Sequence, residues 1–572
     1  MTTAKKPTGL RKGLATYGDA GFSLFLRRAF IKAMGFTDDA LDRPIIGLTN
    51  TMSDFNPCHG NVPDLIEAAR RGIMLAGGLP MAFPTISIHE SFSHPTSMFL
   101  RNLMALDAEE MIRAQPMDAV VLIGGCDKTL PALMMGAASA NVPTIVLPTG
   151  PMLVGHHKGE ILGACTDCRR LWAQHRAGKI DEAEIDTVSG RLAPTRGTCM
   201  VMGTASTVAS MAEAAGLALP GAGTAPAVHA DRLRLAEATG AAAVRLAREG
   251  TTLRDLLTPA SLRNALVVLQ AIGGSTNALI HYAAVAGRLG IRLDLDAFDA
   301  IGRDVPVLVD LKPSGAGYME HFHHAGGLPR LLRELAPFLD TSARTVGGGT
   351  VADVIAAAEE VPNQTVIRSA SNPIAVGGGL AVLHGNLAPL GALIKRSAAT
   401  PALLKHEGRA VVFDGREDMT AWLDDETLDV TPDDVLVLRN AGPIGAPGMP
   451  EAGYIPIPKK LARAGVTDMV RISDARMSGT AFGAIVLHCA PEAAAGGPLA
   501  LVRDGDRIRL DTEARRLDLL VSEEELARRR AAWQAPAPPP GADRGYLRLY
   551  REQVTQADQG CDFAFCIPGG RA

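Results

Sequence analysis

The feature that most constrains this chain is an alternation in its N-terminal part. Three short β-branched runs, PIIGLTN (Pro44 to Asn50), MDAVVLIGG (Met117 to Gly125) and VPTIVLPTGPM (Val142 to Met152), end in Gly, Pro, Asn or Cys. They alternate with helical patterns such as VPDLIEAARRGIMLAGG and LPALMMGAASAN. That alternation predicts parallel strands joined by crossover helices, hence an α/β domain with a parallel sheet and covering helices. Ligands of such sheets gather beyond the carboxyl ends of the strands, where Cys126 and Asp127 fall.

At 572 residues the chain is several times the usual single-domain length, so two domains are expected. Ala-rich segments around residues 203–300 carry apolar positions three and four apart and should be helices that cover the sheet. After about residue 370 the texture changes. GGGLAVLHGN, RAVVFDG, DDVLVLRNAGP, DMVRISD, GAIVLHCAPE, PLALVRDGDRIRLD and RRLDLLVS read as short strands punctuated by Gly, Pro and Asp, which suggests a barrel or a sandwich. Residues 1–370 are therefore assigned to the α/β domain and 371–572 to the β domain. APAPPPG (Ala535 to Gly541) reads as a linker before a short polar tail.

Composition excludes several classes. Aromatics at 4% and charged residues at 21%, with aliphatic residues, Ala and Gly dominant, suit a soluble α/β enzyme and not a disordered or fibrous chain. The 57 basic and 61 acidic residues are interspersed, with no basic run to track a phosphate backbone, so nucleic acid is not an expected partner. No signal-peptide pattern and no long apolar run appear, so a cytoplasmic location without membrane contact is expected. Eight cysteines are too few for a disulfide scaffold in a chain of this size.

Three of those cysteines occupy loops flanked by Gly or Pro: Asn56-Pro57-Cys58-His59-Gly60, Gly124-Gly125-Cys126-Asp127-Lys128 and Gly197-Thr198-Cys199. Backbone N–H groups in such loops favour thiolates, the ligands that select iron–sulfur clusters or zinc. A free cysteine is equally a small buried hydrophobe, and none of the three belongs to a CxxC pair, so spacing leaves both readings open. The CxxC of Cys165 and Cys168 has no second pair at zinc-ribbon spacing and is set aside. Cys489 reads as core, and Cys561 and Cys566 as incidental thiols of the polar tail.

Acids recur at loop positions: Glu90 after His89, Asp127, and Glu451 in NAGPIGAPGMPEAG. A few carboxylates of this kind can hold Mg²⁺ and leave positions open for substrate oxygens, though each alone is equally a solvated loop acid. Lys128 beside Asp127 would repel a cation unless it points away or is converted to a carbamate. Ser478, followed by Gly479 and Thr480, can present a hydroxyl, but no GxSxG elbow surrounds it and no local His activates it, which disfavours a serine hydrolase. Nucleotide fingerprints are missing from the Gly-rich segments. A zinc hydrolase or deaminase lacks its motifs, and a redox or iron-sensing cluster protein would require a fourth cysteine from the Cys165–Cys168 pair.

Eight blocks along the chain, PCHG, GGCDKTLPALMMGAAS, GTCMVMGTASTVASMAEAAG, IGGSTNALIH, GRDVPVLVDLKPSG, GNLAPLGA, GPIGAPGMPE and VRISDARMSGTAFG, resemble in order the family of dihydroxy-acid, phosphogluconate and aldonic (sugar) acid dehydratases. The resemblance implies a C-terminal β-barrel, a homodimer or dimer of dimers, and dehydration of a 2,3-dihydroxy acid to a 2-keto acid. It also implies cluster ligands Cys58, Cys126 and Cys199; Mg²⁺ ligands Glu90, Asp127, Glu451 and a carbamylated Lys128; Ser478 as catalytic base; and Thr480 at the substrate. SDARMSGTAFG is closer to the sugar-acid branch than to the branched-chain biosynthetic dihydroxy-acid dehydratases, whose serine loop reads more like DGRFSGG. The sugar-acid branch implies a 2Fe-2S cluster, with 4Fe-4S as the alternative. The segment His89-Glu90-Ser91-Phe92-Ser93 departs from both branches.

Overall fold

The computed structural model describes residues 7–569. Four strands, β1 (Ile45–Asn50), β2 (Leu79–Pro84), β3 (Ala119–Gly124) and β4 (Thr144–Pro148), form a parallel sheet in the order β2-β1-β3-β4. Strand β2 (LPMAFP) was not among the expected runs, because its two prolines hide the strand signal. They are tolerated because β2 is an edge strand, where backbone donors are not all needed. Val120 to Ile123 on β3 are wholly buried, as in a sheet covered on both faces.

The chain leaves β1 towards one edge and β3 towards the other, so right-handed crossovers put helix Val62–Leu75 and helix Thr129–Ala140 on opposite faces. Helix Ala230–Glu249 packs along Val62–Leu75, and helix Ser97–Ala114 along Thr129–Ala140. The Ala-rich middle of the chain is helical as expected, with helices Thr204–Ala214, Pro259–Ala271 and Asn277–Arg288 following one another. A two-stranded ribbon of β5 (Gly155–His157) and β6 (Glu160–Leu162) projects after the sheet.

The C-terminal part closes into an eight-stranded barrel: β7 (Leu380–Gly385), β8 (Ala388–Lys395), β9 (Lys405–Asp414), β10 (Val435–Arg439), β11 (Arg471–Ser473), β12 (Ile485–Ala490), β13 (Arg507–Asp511) and β14 (Arg516–Leu519). Its order is β10-β11-β12-β8-β7-β14-β13-β9, and β9 through β12 run parallel. The barrel is thus the outcome of the two architectures left open by the strand pattern. Strand β8 lay unrecognised in GNLAPLGALIK, and PLALV, expected to be strand, is a 3₁₀ turn, Pro498–Leu501. Period-2 alternation sends Ala392 and Ile394 into the barrel, while Leu393, with Leu380 and Val382, joins the core of the α/β half. One barrel face is therefore welded to the helices.

The segment after the Pro-rich stretch is not a polar appendage. Helix Gly545–Gln553 and the turn after it seat Tyr546, Tyr550 and Phe563 against Met98, Phe99 and Ile280. Buried Arg101 donates to the carbonyls of Gly560 (2.9 Å) and Cys561 (2.8 Å), and buried Arg288 pairs with Asp562 at 2.7 Å. Cys561 is fully buried. Charged donors inside the α/β half satisfy the tail backbone, a partnership that composition cannot display.

No helix among the described residues is long and apolar enough to cross a membrane. The packing of the helix pair is close at Gly72, where a Cβ would lie 1.8 Å from the carbonyl oxygen of Glu237. Replacing Gly72 by Ala gains about 1 kcal/mol of helix propensity, but the clash is with backbone, which cannot swing aside. Gly72→Ala should lower stability by roughly 1–3 kcal/mol. Denaturant unfolding followed by far-UV circular dichroism tests this; an unchanged or raised midpoint would contradict the packing argument.

Candidate active site

All four strands of the parallel sheet send their carboxyl-end connections to one place. After β1 the chain makes a 3₁₀ turn, Pro57–His59, that buries Cys58. After β2 comes the turn Glu90–Phe92, and after β3 come Cys126, Asp127 and Lys128, leading into helix Thr129–Ala140. After β4, Pro151 bridges to Thr198, which sets Cys199 beside the other two cysteines. Gly125 is required here, since a Cβ would fall 1.7 Å from Thr149 Oγ1.

His59 ties the first and third connections together. Its Nε2 accepts the N–H groups of Gly125 (3.1 Å) and Cys126 (3.3 Å), so Nδ1 carries the proton and donates to the Thr51 carbonyl at 2.7 Å. Burial pushes its pKa down to about 4, keeping the ring neutral and the acceptor available. Ligand atoms of Cys58, His89 and Cys126 lie within 4.8 Å of one another. The Cys58 thiol is pushed well up by its neighbour Cys126 and by burial, and that of Cys199 by Cys165 and by burial. Several buried thiols facing one another are expensive to ionise without a cation, which is the environment a metal or a cluster reverses.

The CxxC set aside from the sequence lies against this group. Cys165 Sγ is 3.3 Å from Cys199 Sγ, and its thiol is held well below the ordinary range by hydrogen bonds from Cys168 and Cys199. Cys165 caps helix Thr166–Arg176, whose Thr166 hydroxyl donates to the Thr480 carbonyl at 2.9 Å. The pair is thus near the three loop cysteines through folding, not through spacing. Cys489 is core, as expected.

A second group adjoins the first. Carboxylate oxygens of Glu90, Asp127 and Glu451 lie within 4.8 Å of one another, and Cys126 Sγ is 3.4 Å from Asp127 Oδ1. Wholly buried Lys128 pairs with Asp127 and sits 3.6 Å from Glu90. Arg476 supplies what the sequence reading missed. Fully buried, it donates to Glu451 Oε1 (2.6 Å), to Glu90 Oε1 and Oε2 (3.0 and 2.9 Å) and to Thr96 Oγ1 (2.7 Å). Burial works to raise the Glu90 carboxyl, but Arg476 and Lys128 overcome it and hold Glu90 well below the usual range. Glu451 goes the other way, raised by burial and by Glu90. Three converging carboxylates are the kind of oxygen set that can hold a hard divalent cation, and here an arginine and a lysine balance their charge. Arg476 stood in the sequence two residues before Ser478, without any local signal for its partners.

Ser478 follows Arg476 on the loop between β11 and β12, and its Oγ is 2.8 Å from Thr480 Oγ1. Glu90 and the cysteines come from the α/β half, while Glu451, Arg476, Ser478 and Thr480 come from the barrel half, so the site exists only where the two meet.

Residues 43–354 match the family model for the dihydroxy-acid/6-phosphogluconate dehydratase N-terminal region, and residues 365–561 match the C-terminal one. The chain belongs to this dehydratase family. The dehydratase is 49% identical over 553 residues to an L-arabonate dehydratase of Azospirillum brasilense, covering 95% of this chain and 94% of the relative. It is 45% identical to a 6-deoxy-6-sulfo-D-gluconate dehydratase of Pseudomonas putida (95% and 94% covered) and 41% identical to a dihydroxy-acid dehydratase of Moorella thermoacetica (93% and 97% covered). It is accordingly a hydro-lyase of a family that acts on sugar acids and dihydroxy acids.

The ion network of the dehydratase carries a stability prediction. Arg476→Met leaves the partly buried Glu90 and Glu451 without their main counter-charge, a loss of up to roughly 3–5 kcal/mol, the figure for a broken buried pair. Thermal unfolding in EDTA should show the loss, and millimolar Mg²⁺ should restore part of it by replacing the missing positive charge. If the variant melts with the wild type in EDTA, the carboxylates are not held by this arginine.

Proposed function

We propose that this dehydratase removes water from sugar acids of the aldonic type, yielding 2-keto-3-deoxy acids, with an iron–sulfur cluster and Mg²⁺. The observation that carries the reading is the adjacency of the two groups: buried cysteines on one side and three carboxylates on the other, joined by Cys126 and Asp127. In this reading Cys58, Cys126 and Cys199 hold a 2Fe-2S cluster, with 4Fe-4S as the alternative. Glu90, Asp127, Glu451 and Lys128, the last as a carbamate, hold Mg²⁺. The donor sets fit: soft thiolates suit iron and sulfide, and oxygens suit magnesium. Carbamylation would turn the buried Lys128 ammonium, which now opposes a cation, into a ligand.

When bound, the cluster supplies a Lewis-acidic iron for the leaving 3-hydroxyl, and Mg²⁺ supplies charge that acidifies the C2 proton and steadies the enolate. Ser478 takes the C2 proton, and the hydroxyl of Thr480 at 2.8 Å steadies its oxygen and reaches the substrate. Arg476 keeps Glu90 ionised, the form in which a carboxylate serves as a metal ligand. The enol released after loss of hydroxide tautomerises to the keto acid. With the chain divided at residue 370, as this reading has it, Glu451 and Ser478 fall in one domain and Cys58, Cys126 and Cys199 in the other. The sugar-acid preference is supported by the L-arabonate and sulfogluconate relatives, while biosynthetic dihydroxy-acid dehydration is the second reading, supported by the Moorella relative.

Assembly into a homodimer or a dimer of dimers in the cytoplasm belongs to the same proposal. Exposed Phe55 and Phe92, with ring centroids 6.3 Å apart, flank the site. Helix Ala20–Ala33 exposes Phe22, Phe25 and Phe30 on the surface. Apolar patches of this kind mark contact surfaces.

Anaerobically reconstituted protein should be brown and Mg²⁺-dependent. It should form 2-keto acids from C5 and C6 sugar acids faster than from 2,3-dihydroxyisovalerate. Ser478→Ala should lower kcat by about 10²- to 10⁴-fold with the cluster spectrum intact, whereas Cys126→Ser should lose iron. A colourless, iron-free protein with full turnover would sink the reading, and preference for the branched acid would transfer it to the second.

A further inference from the structure

The loop that carries Ser478 is held by three side-chain donors, each on a different carbonyl. Asn277 Nδ2 donates to Met477 O at 2.9 Å, Lys395 Nζ to Gly479 O at 3.2 Å and Thr166 Oγ1 to Thr480 O at 2.9 Å. Asn277 and Thr166 carry no ionisable group; Lys395 does. Its side chain, at the end of β8 next to the junction with the α/β half, is 1% exposed. Among the described residues no carboxylate is paired with its nitrogen, and the Gly479 carbonyl is its sole hydrogen-bond acceptor. A methionine would fill the same wall without the cost of burying a charge, so an ammonium here asks for a reason.

The carbonyl it grips supplies one. Gly479 C=O and Thr480 N–H are opposite ends of one planar peptide unit, and that N–H points at Ser478 Oγ from 3.4 Å. A cation on the oxygen end polarises the unit and strengthens its N–H as a donor. Ser478 Oγ therefore senses a positive charge relayed through a peptide, with the Thr480 hydroxyl as a further partner at 2.8 Å.

We propose that Lys395 is a positioning residue that makes Ser478 a competent base: its ammonium, through the Gly479–Thr480 peptide, stabilises the deprotonated serine oxygen. This rests on the reading of Ser478 as the base. The surroundings agree. Burial alone brings the Lys395 ammonium down to about 7, with no charged neighbour contributing. His488, on the paired strand β12, is kept neutral by burial at about 3, and Arg476 of the serine loop is committed to Glu90 and Glu451. The negative charge on Ser478 in its deprotonated, reactive form would in turn hold the proton on Lys395, and it passes to the substrate as the C2 proton is taken.

The sign of the effect is determined. Positive charge favours the anionic form of the serine, so removing it raises the pH at which the base becomes active. The test uses reconstituted holoenzyme carrying Lys395→Met, which keeps the volume, and Lys395→Gln, which keeps a neutral donor. With the best sugar acid of the panel, Lys395→Met should lower kcat at neutral pH by about tenfold to a hundredfold, leave KM within about twofold, and move the rising limb of the kcat–pH profile up by about one pH unit. Lys395→Gln should fall between it and the wild type. Without substrate, the Thr480 amide should exchange faster with deuterium in the Met variant. Iron content and melting temperature check folding, and if the Met variant does not fold, the Gln variant must show the shifted limb. Wild-type kcat and limb in a folded variant, or a reduced kcat with an unmoved limb, would overturn the proposal. Retained dehydration in Ser478→Ala would instead remove the reading of Ser478, which separates the two failures.

Discussion

The structure depends on one buried charge cluster, in which Arg476 from the barrel half grips Glu90 from the α/β half and Glu451 from its own. Buried ions are tolerable only when paired and hydrogen-bonded, so this network imposes a fixed relation between the two halves. Thr96 and Ser97 add hydroxyls to the same carboxylate from the start of helix Ser97–Ala114. The apolar contact of Leu380, Val382 and Leu393 with the helical core joins the halves, but it is the ionic seam that aligns their loops.

From that seam the rest of the site follows by geometry. The parallel sheet delivers four connections to one edge, and neutral His59 holds two of them in register through the amides of Gly125 and Cys126. Cys126 and Asp127, adjacent in sequence at the head of a helix, face different groups, the thiol towards the cysteines and the carboxylate towards the acids. Soft and hard donors are thereby separated by a single peptide bond. Dehydration of a dihydroxy acid asks for this proximity, since one hydroxyl must leave while the neighbouring carbon is deprotonated.

Cys165 introduces an ambiguity that spacing concealed. Its sulfur touches that of Cys199, so four thiols, not three, surround the candidate cluster position. An enzyme with an open iron position needs Cys165 to stay uncoordinated, and an electron-carrying cluster would recruit it. The serine loop and the carboxylates next to it favour the enzyme, in keeping with the family of the chain.

The sequence by itself determined the elements whose signal is local. The β-branched runs of β1, β3 and β4 and the Ala-rich helices were legible from periodicity, and the loop cysteines and acids from their Gly and Pro neighbours; eight ordered blocks pointed to the family. Hidden were the proline-bearing edge strand β2, the strand β8 that ends in Lys395, and the docking of the tail through Arg101 and Arg288. Barrel closure was not decidable from short strands that suit a sandwich equally. Only the tertiary structure decided that Arg476 lies between Glu90 and Glu451, that Cys165 reaches Cys199, and that Lys395 backs the serine loop. Each of these joins residues far apart in the chain, and a charge carries no mark in the sequence of the partner that makes its burial affordable.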